Sequence, residues 1–229
     1  MQADNFTDSY TDSHTGKKFF ETSFSGEDLQ DAIFERCEFY RCDFSRADLT
    51  DAAFNKCKFI ESGESKGCNF SYATLNGASF KHCNLSMANF TGARCFGIEF
   101  RECNLQGADF SRASFANHIT QKTFFCSAYI TESNLSYANL ESAKLEKCEL
   151  MDNRWRGANL LGASMKGSDL SGGEFSQSQW GTFELAGCNL CRVELEGLDP
   201  RNVKLEGVMI NEWQQEQLLA PLGIIVAPN

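Results

Sequence analysis

Large apolar side chains return every fifth residue along this chain. Phe19, Phe24, Leu29, Phe34, Phe39, Phe44, Leu49, Phe54 and Phe59 follow one another at that interval without a gap. The column restarts one step out of phase at Phe70 and runs through Leu75, Phe80, Leu85, Phe90, Cys95, Phe100, Leu105, Phe110 and Phe115. It resumes at Phe125 and Ile130, and every fifth residue from Leu135 to Leu195 is again large and apolar, with Thr120 and Pro200 as the breaks before Leu205 and Ile210. Two residues before each of these sits a mostly small side chain, as in Ala32, Cys37, Cys42, Ala47, Ala52 and Cys57. The positions between are Asn, Asp, Ser, Thr, Gly and charged residues.

A period of five is neither the 3.6 of a helix nor the sustained alternation of a long strand. It fits a short extended side with two alternate residues turned inward, followed by two residues that turn a corner, where Ser, Asp, Asn and Gly are suited. Four sides close a square, so one coil takes about twenty residues and successive coils stack at about 4.8 Å through backbone hydrogen bonds. The spacing predicts an all-β rod of roughly nine or ten coils and on the order of 45 Å. Cys37 and Cys57, like Cys83 and Cys103, are twenty residues apart and would lie side by side on adjacent coils.

The regular part covers residues 19–210. Residues 1–18 are polar and predict an N-terminal cap or flexible segment. Residues 211–229 predict a C-terminal cap: Asn211 caps a short helix with Gln214 reaching back to it, and the helix stops at Pro221 and Gly223. That segment holds more apolar surface than one coil end needs. Trp213, Leu218, Leu219, Leu222, Ile224, Ile225 and Val226 therefore predict a plug that also joins two chains end to end about a two-fold axis.

The column is interrupted twice. Phe59 and Phe70 are eleven apart, which leaves six residues over and predicts a small projecting loop of Ile60, Glu61, Ser62, Gly63, Glu64, Ser65, Lys66 and Gly67. Between Phe115 and Phe125 the phase is kept, but His118 and Thr120 stand where the small and large inward residues belong. Burying both unpaired would cost on the order of 1–3 kcal/mol each. A second, larger loop is therefore predicted: Ala116, Asn117, His118, Ile119, Thr120, Gln121, Lys122, Thr123, Phe124, Phe125, Cys126 and Ser127. A scaffold this regular carries specificity where it departs from its own rule.

Composition narrows the function. Lys+Arg number 21 against 31 Asp+Glu, a formal net charge of −10, which disfavours a protein that grips phosphates through its own cations. No apolar run approaches the roughly 18 residues of a membrane span. The polar N-terminus is neither a secretory signal nor a transit peptide, so the eleven cysteines predict free thiols in a cytoplasmic protein. Their spacing follows the pentad and not a ligand pattern, and His14, His82 and His118 are the three histidines, so neither a metal nor another cofactor is expected. No nucleophile has a base and an acid around it in sequence, so catalysis is not expected.

The pentad pattern, over nearly the whole chain, resembles the pentapeptide-repeat family. That resemblance implies a right-handed quadrilateral β-helix. Several irregular stretches are more specific: Lys66-Gly-Cys-Asn-Phe-Ser71, Phe125-Cys-Ser-Ala-Tyr-Ile-Thr131, Asn134-Leu-Ser-Tyr-Ala-Asn139, Leu145-Glu-Lys-Cys-Glu-Leu150, Asn153-Arg-Trp-Arg-Gly157, Gly167-Ser-Asp-Leu-Ser-Gly-Gly-Glu-Phe175 and Leu222-Gly-Ile-Ile-Val226. These are similar to the Qnr quinolone-resistance proteins. What this implies is a dimer that binds DNA gyrase and topoisomerase IV and protects them from quinolones, with the larger loop as the protecting part. Within that loop His118, Ile119, Gln121, Lys122 and Phe124 are the expected contacts, Phe124 as an outward aromatic that anchors in a partner pocket. An acidic rod also imitates duplex DNA in shape and sign. B-DNA would carry roughly 26 charges over 45 Å, however, so the net −10 supplies approach and orientation rather than full mimicry. The alternative is a repeat scaffold that binds another protein or nucleic-acid enzyme, with no role in drug response.

Overall fold

The computed structural model describes residues 13–120 and 123–227. Short parallel strands stack in register on the faces of a square coil. Ser13–Thr15, Ile33–Glu35, Ala53–Asn55, Ser79–Lys81, Ile98–Arg101 and Ala128–Thr131 form one six-stranded parallel sheet, and Lys18–Phe20 pairs with Glu38–Tyr40 on the next face. Ser13 lies opposite Ile33, and Ile33 opposite Ala53, so one coil is twenty residues long. Isolated parallel bridges such as Asp43↔Asn69 and Asp48↔Thr74 continue the stacking on the remaining two faces. The first face carries the rungs Phe34, Phe54, Phe80, Phe100 and Ile130. The second, third and fourth faces follow at Phe39, Phe44 and Leu49.

The two inward columns form the core. The central column is almost wholly buried, and its N-terminal half is built of stacked phenyl rings. Phe19, Phe39 and Phe59 stack at 4.9 and 5.0 Å between centroids, and Phe24, Phe44, Phe70, Phe90 and Phe110 at 4.7 to 5.0 Å. Rings of neighbouring stacks meet edge to face, as Phe39 meets Phe44 at 5.3 Å. Both geometries suit the ring quadrupole. Beyond Phe115 most rungs are Leu, with Trp155, Met165 and Phe175 among them.

The small column has chemistry of its own. Its thiols and hydroxyls donate to carbonyls of the preceding coil: Cys57 Sγ to Phe34 O at 3.4 Å, Cys103 Sγ to Phe80 O at 3.3 Å and Ser168 Oγ to Leu145 O at 2.6 Å. At Asn153 the amide fills the same slot, donating to Leu150 O and accepting from Ser133 N. On the third face an Asn/Asp ladder runs outside the core. Asn69 Nδ2 donates to Asp43 Oδ1 at 2.9 Å and Asn89 Nδ2 to Asn69 Oδ1 at 3.1 Å, while each Oδ1 accepts the N–H two residues on. These Asx turns hold the corner, which explains the residue type just before each rung there.

Two residues beyond most rungs the backbone turns left-handed, at Arg36, Lys56, Tyr72, Met87 and Tyr137 among others. That conformation costs a non-glycine residue roughly 1–2 kcal/mol. At Gly92 and Gly157 glycine is required twice over: φ is +67° and +71°, and the rings of Tyr72 and Tyr137 from the preceding coil lie where a Cβ would sit.

The ends and one internal turn differ from the pentad expectation. Residues 1–18 are not wholly separate from the coil, because Ser13–Thr15 already pairs with Ile33–Glu35. His14 takes a rung position, stacked on Phe34 at 5.0 Å and joined to Lys17 Nζ at 3.0 Å. Met1 to Asp12 lie outside the described residues. Trp180 is only half-buried, because Ser176 to Trp180 leaves the repeat for a 3-10 turn. There Gln179 enters the core and donates to Trp155 O and Ala158 O, both at 2.9 Å. Gln214 repeats the arrangement at the C-terminal end, donating to Leu190 O at 2.9 Å and Val193 O at 2.7 Å, and its Oε1 accepts Asn211 N–H at 2.6 Å. The expected cap is thus present, and its amide satisfies carbonyls that a further coil would otherwise take. The helix Gln215–Leu219 follows and ends in a turn closed by left-handed Gly223.

Candidate functional site

Both interruptions project from the coil, and the register measures them. Ala53 lies opposite Ser79, twenty-six residues on, so the smaller insertion adds six; Ile98 lies opposite Ala128, thirty on, so the larger adds ten. Backbone bonds close each base: Cys68 N–H donates to Phe59 O at 3.0 Å, and Ser127 N–H to Phe115 O at 3.1 Å. The smaller leaves between the second and third faces and the larger between the fourth and first, at opposite corners of the square.

In the smaller loop, Ile60 is buried and Glu61 to Lys66 are exposed. Arg41 ties the loop to the coil, with Glu64 at 2.8 Å and Glu21 at 3.2 Å. At half exposure such pairs contribute about 0–1 kcal/mol each, so they set the loop's position more than its stability.

The larger insertion is not an irregular loop. Ala116–His118 and Phe124–Cys126 pair antiparallel as a hairpin, Ala116 opposite Cys126 and His118 opposite Phe124. Its turn is closed by Ile119 N–H to Thr123 O at 2.9 Å and Thr123 N–H to Thr120 Oγ1 at 3.0 Å. Gln121 and Lys122 lie outside the described residues. A hairpin's alternation also reverses the roles expected of two phenylalanines. Phe125, read from the pentad as a core rung, is 47% exposed and packs edge-on against Phe96 at 5.2 Å. Phe124, expected as the outward anchor, folds back over Lys144 Nζ at 4.6 Å and against the His118 ring at 5.6 Å. The outward apolar groups of the hairpin are Phe125 and Ile119, the latter 68% exposed. The change of strand direction between Phe115 and Phe124 hides this from a period-five reading.

At the C-terminal end, Leu218 packs on the core, and Leu219 is half-buried. Trp213, Leu222, Ile224, Ile225 and Val226 are exposed together with Met209, Ile225 at 92%.

Nine of the cysteines are buried, and Cys126 and Cys191 are half-buried. Burial pushes the Cys148 thiol up to about 12 and Cys188 up to about 11, and it raises Cys126 as well. The thiolate is the reactive form, so none of these three is poised as a nucleophile near neutral pH. Titration of the native chain with a thiol-reactive dye at pH 8 is expected to modify Cys126 and Cys191 at most, and all eleven only after denaturation.

A square coil of pentads with a shared Phe/Leu core defines this chain as a pentapeptide-repeat β-helix carrying two insertions. Family models described as "Pentapeptide repeat region" and "Pentapeptide repeats (8 copies)" match residues 32–110 and 108–146. The chain is 55% identical over 108 residues to the pentapeptide repeat protein VPA0095 of Vibrio parahaemolyticus, covering 47% of this chain and 50% of that one. It is 49% identical over 140 residues to the pentapeptide repeat protein QnrB4 of Escherichia coli, covering 61% and 63%. These matches therefore span about half to two thirds of the relatives' length. The solved structure of full-length QnrB1, a plasmid-mediated fluoroquinolone resistance protein, superposes with a TM-score of 0.85 at 48% identity, over 93% of this chain and 100% of that one. The chain belongs to the Qnr family of pentapeptide-repeat proteins.

Proposed function

We propose that this chain protects the type II topoisomerases DNA gyrase and topoisomerase IV from quinolones, as a non-catalytic cytoplasmic protein. The hairpin Ala116–Cys126 carries the reading: a projection closed at its base by backbone bonds, with Ile119 and Phe125 turned outward. Support comes from the relatives, since QnrB1 is described as a fluoroquinolone resistance protein and QnrB96 of Scandinavium goeteborgense, 48% identical over 141 residues, as a quinolone resistance protein. The acidic rod approaches the DNA-binding surface of the enzyme, with its net −10 supplying orientation. The hairpin then reaches the enzyme near the cleaved DNA and destabilises the drug-trapped complex, so that the drug leaves and the break reseals. The smaller loop, pinned by Arg41, makes a second contact at the opposite corner.

Two chains join through the exposed apolar group at the C-terminal end. Replacing Ile225 by Asp buries a charge in that contact and is expected to convert a dimer to a monomer in sedimentation equilibrium, with unchanged circular dichroism. A variant that stays dimeric would place the interface elsewhere. The functional reading is tested by gyrase supercoiling in ciprofloxacin: added protein restores supercoiling, and no rescue at stoichiometric excess would overturn it.

A further inference from the structure

The corner between the first and second faces carries a column of charges sorted by sign. Each residue lies two beyond a first-face rung: the cations Arg36 and Lys56, then the His82 imidazole, then the carboxylates Glu102, Glu132 and Asp152, all exposed. Their rungs are stacked in register, so neighbours in the column belong to adjacent coils about 4.8 Å apart. Over Arg36 to Asp152 the sign changes once, at His82–Glu102, where Nδ1 and Oε2 are 3.2 Å apart; the column then passes Gly172 to Arg192. At several other places the rod sets opposite charges on adjacent coils: Lys18 and Lys58 flank Glu38 at 2.7 and 3.2 Å, Lys81 meets Glu99 at 3.0 Å, and Lys166 meets Glu184 at 2.6 Å; like pairs such as Asp28 and Asp48, or Lys81 and Arg101, stack there only two deep. At this corner like charges run over successive coils, Arg36 over Lys56 and Glu102 over Glu132 over Asp152, which is unfavourable within one chain. Arg192 offsets part of this by reaching across Gly172 to Asp152 Oδ1 at 2.9 Å.

We infer that this corner is a contact between two copies of the chain lying side by side and antiparallel. A two-fold axis at the His82–Glu102 junction sets Arg36 of one copy against Asp152 of the other, Lys56 against Glu132, and His82 against Glu102. One symmetric contact thereby relieves both like-charged runs, as an isologous interface requires. A polyanion would fit Arg36 and Lys56 and be repelled by Glu102, Glu132 and Asp152; a basic partner would meet the reverse conflict. The net charge of −10 on each copy opposes association at long range. In about 0.15 M salt, however, a Debye length near 8 Å screens that repulsion and spares contacts at hydrogen-bond distance.

Sedimentation velocity on the full chain tests this. A species beyond the end-to-end dimer is expected at 0.15 M salt and lost at 1 M, whereas an apolar end contact resists salt. The double variants R36E/K56E and E132K/D152K are each expected to associate at least tenfold more weakly through this corner, and an equimolar mixture of the two to recover the association. Recovery on mixing also shows that both variants fold. The inference is overturned by a wild-type chain with no salt-sensitive species, by variants that associate like wild type, or by a mixture that fails to recover. It is equally overturned if the chain stays a salt-insensitive dimer while both variants lose topoisomerase binding, which would give the corner to the enzyme. None of these outcomes depends on quinolone rescue.

Discussion

Excising Asn117–Cys126 is expected to abolish quinolone protection while leaving the rod intact. The ten residues removed are the ten that the register counts as surplus between Ile98 and Ala128. What remains reads Phe115-Ala-Ser-Ala-Tyr-Ile130, a regular pentad with Phe115 and Ile130 five apart and Ala128 in the small column. Both rungs keep their places, since each is already buried. The base is already closed by Ser127 N–H to Phe115 O, so little chain entropy changes and the melting temperature is expected to move by no more than about 3 °C. The loss falls on binding. Two exposed apolar anchors, Ile119 and Phe125, are removed, and one well-placed anchor is worth about 2 kcal/mol, roughly thirtyfold in affinity. The ciprofloxacin concentration that inhibits gyrase supercoiling is expected to return to its value without the protein. Retained rescue would refute the hairpin as the protecting part. Removing one residue more, Asn117–Ser127, leaves four steps where a side needs five. That variant is expected to melt well below the ten-residue deletion, which would show that phase and not length decides the fold.

The pentad made most of the architecture legible because every rung obeys one rule. The interval of five fixes sides and corners, and the surplus of six after Phe59 places the smaller loop at the residues where its closing bond is found. The C-terminal cap was readable for a similar reason, since Asn211 and Gln214 stand at capping-box spacing. What remained hidden are the places where a local interaction overrides the repeat. Phe125 keeps the phase of the rungs, yet antiparallel pairing with Asn117 turns it out of the core. Trp180 also keeps phase, but the Gln179 amide satisfies Trp155 O and Ala158 O and takes the inward slot first. His14 is a rung that an apolar count passes over, because its ring stacks on Phe34 as a phenyl would. The sign-sorted corner escapes notice for a different cause. Its residues are twenty, twenty-six or thirty apart in sequence, and they form a column only once both insertions have been measured.

The aromatic stacks set where the rod is strongest, and Phe70→Ala is expected to be among its most damaging single changes. Phe70 is fully buried between Phe44 at 4.9 Å and Phe90 at 5.0 Å, with Phe59 at 5.4 Å and Phe80 at 6.1 Å meeting it edge-on. It is also the first rung after the smaller loop, so its side must hold the corner that the loop leaves open. Truncating a buried phenylalanine costs about 3–5 kcal/mol through lost transfer energy and an unfilled cavity. Neighbouring rungs cannot close the gap, because backbone hydrogen bonds hold the coil spacing: Phe70 N–H to Asn89 O at 2.7 Å above and Phe44 N–H to Asn69 O at 2.7 Å below. For a chain of this size each kcal/mol shifts the midpoint by about 2–4 °C, so a fall of about 10 °C is expected. A solenoid couples only neighbouring coils, and a weakened rung in its N-terminal half separates two blocks that otherwise melt together. Calorimetry is therefore expected to show a broadened or split transition as well as a lower midpoint, with Leu140→Ala on the same face of the Leu-rich half as the comparison. A single sharp transition shifted by less than about 3 °C would mean that the rings contribute little beyond their volume.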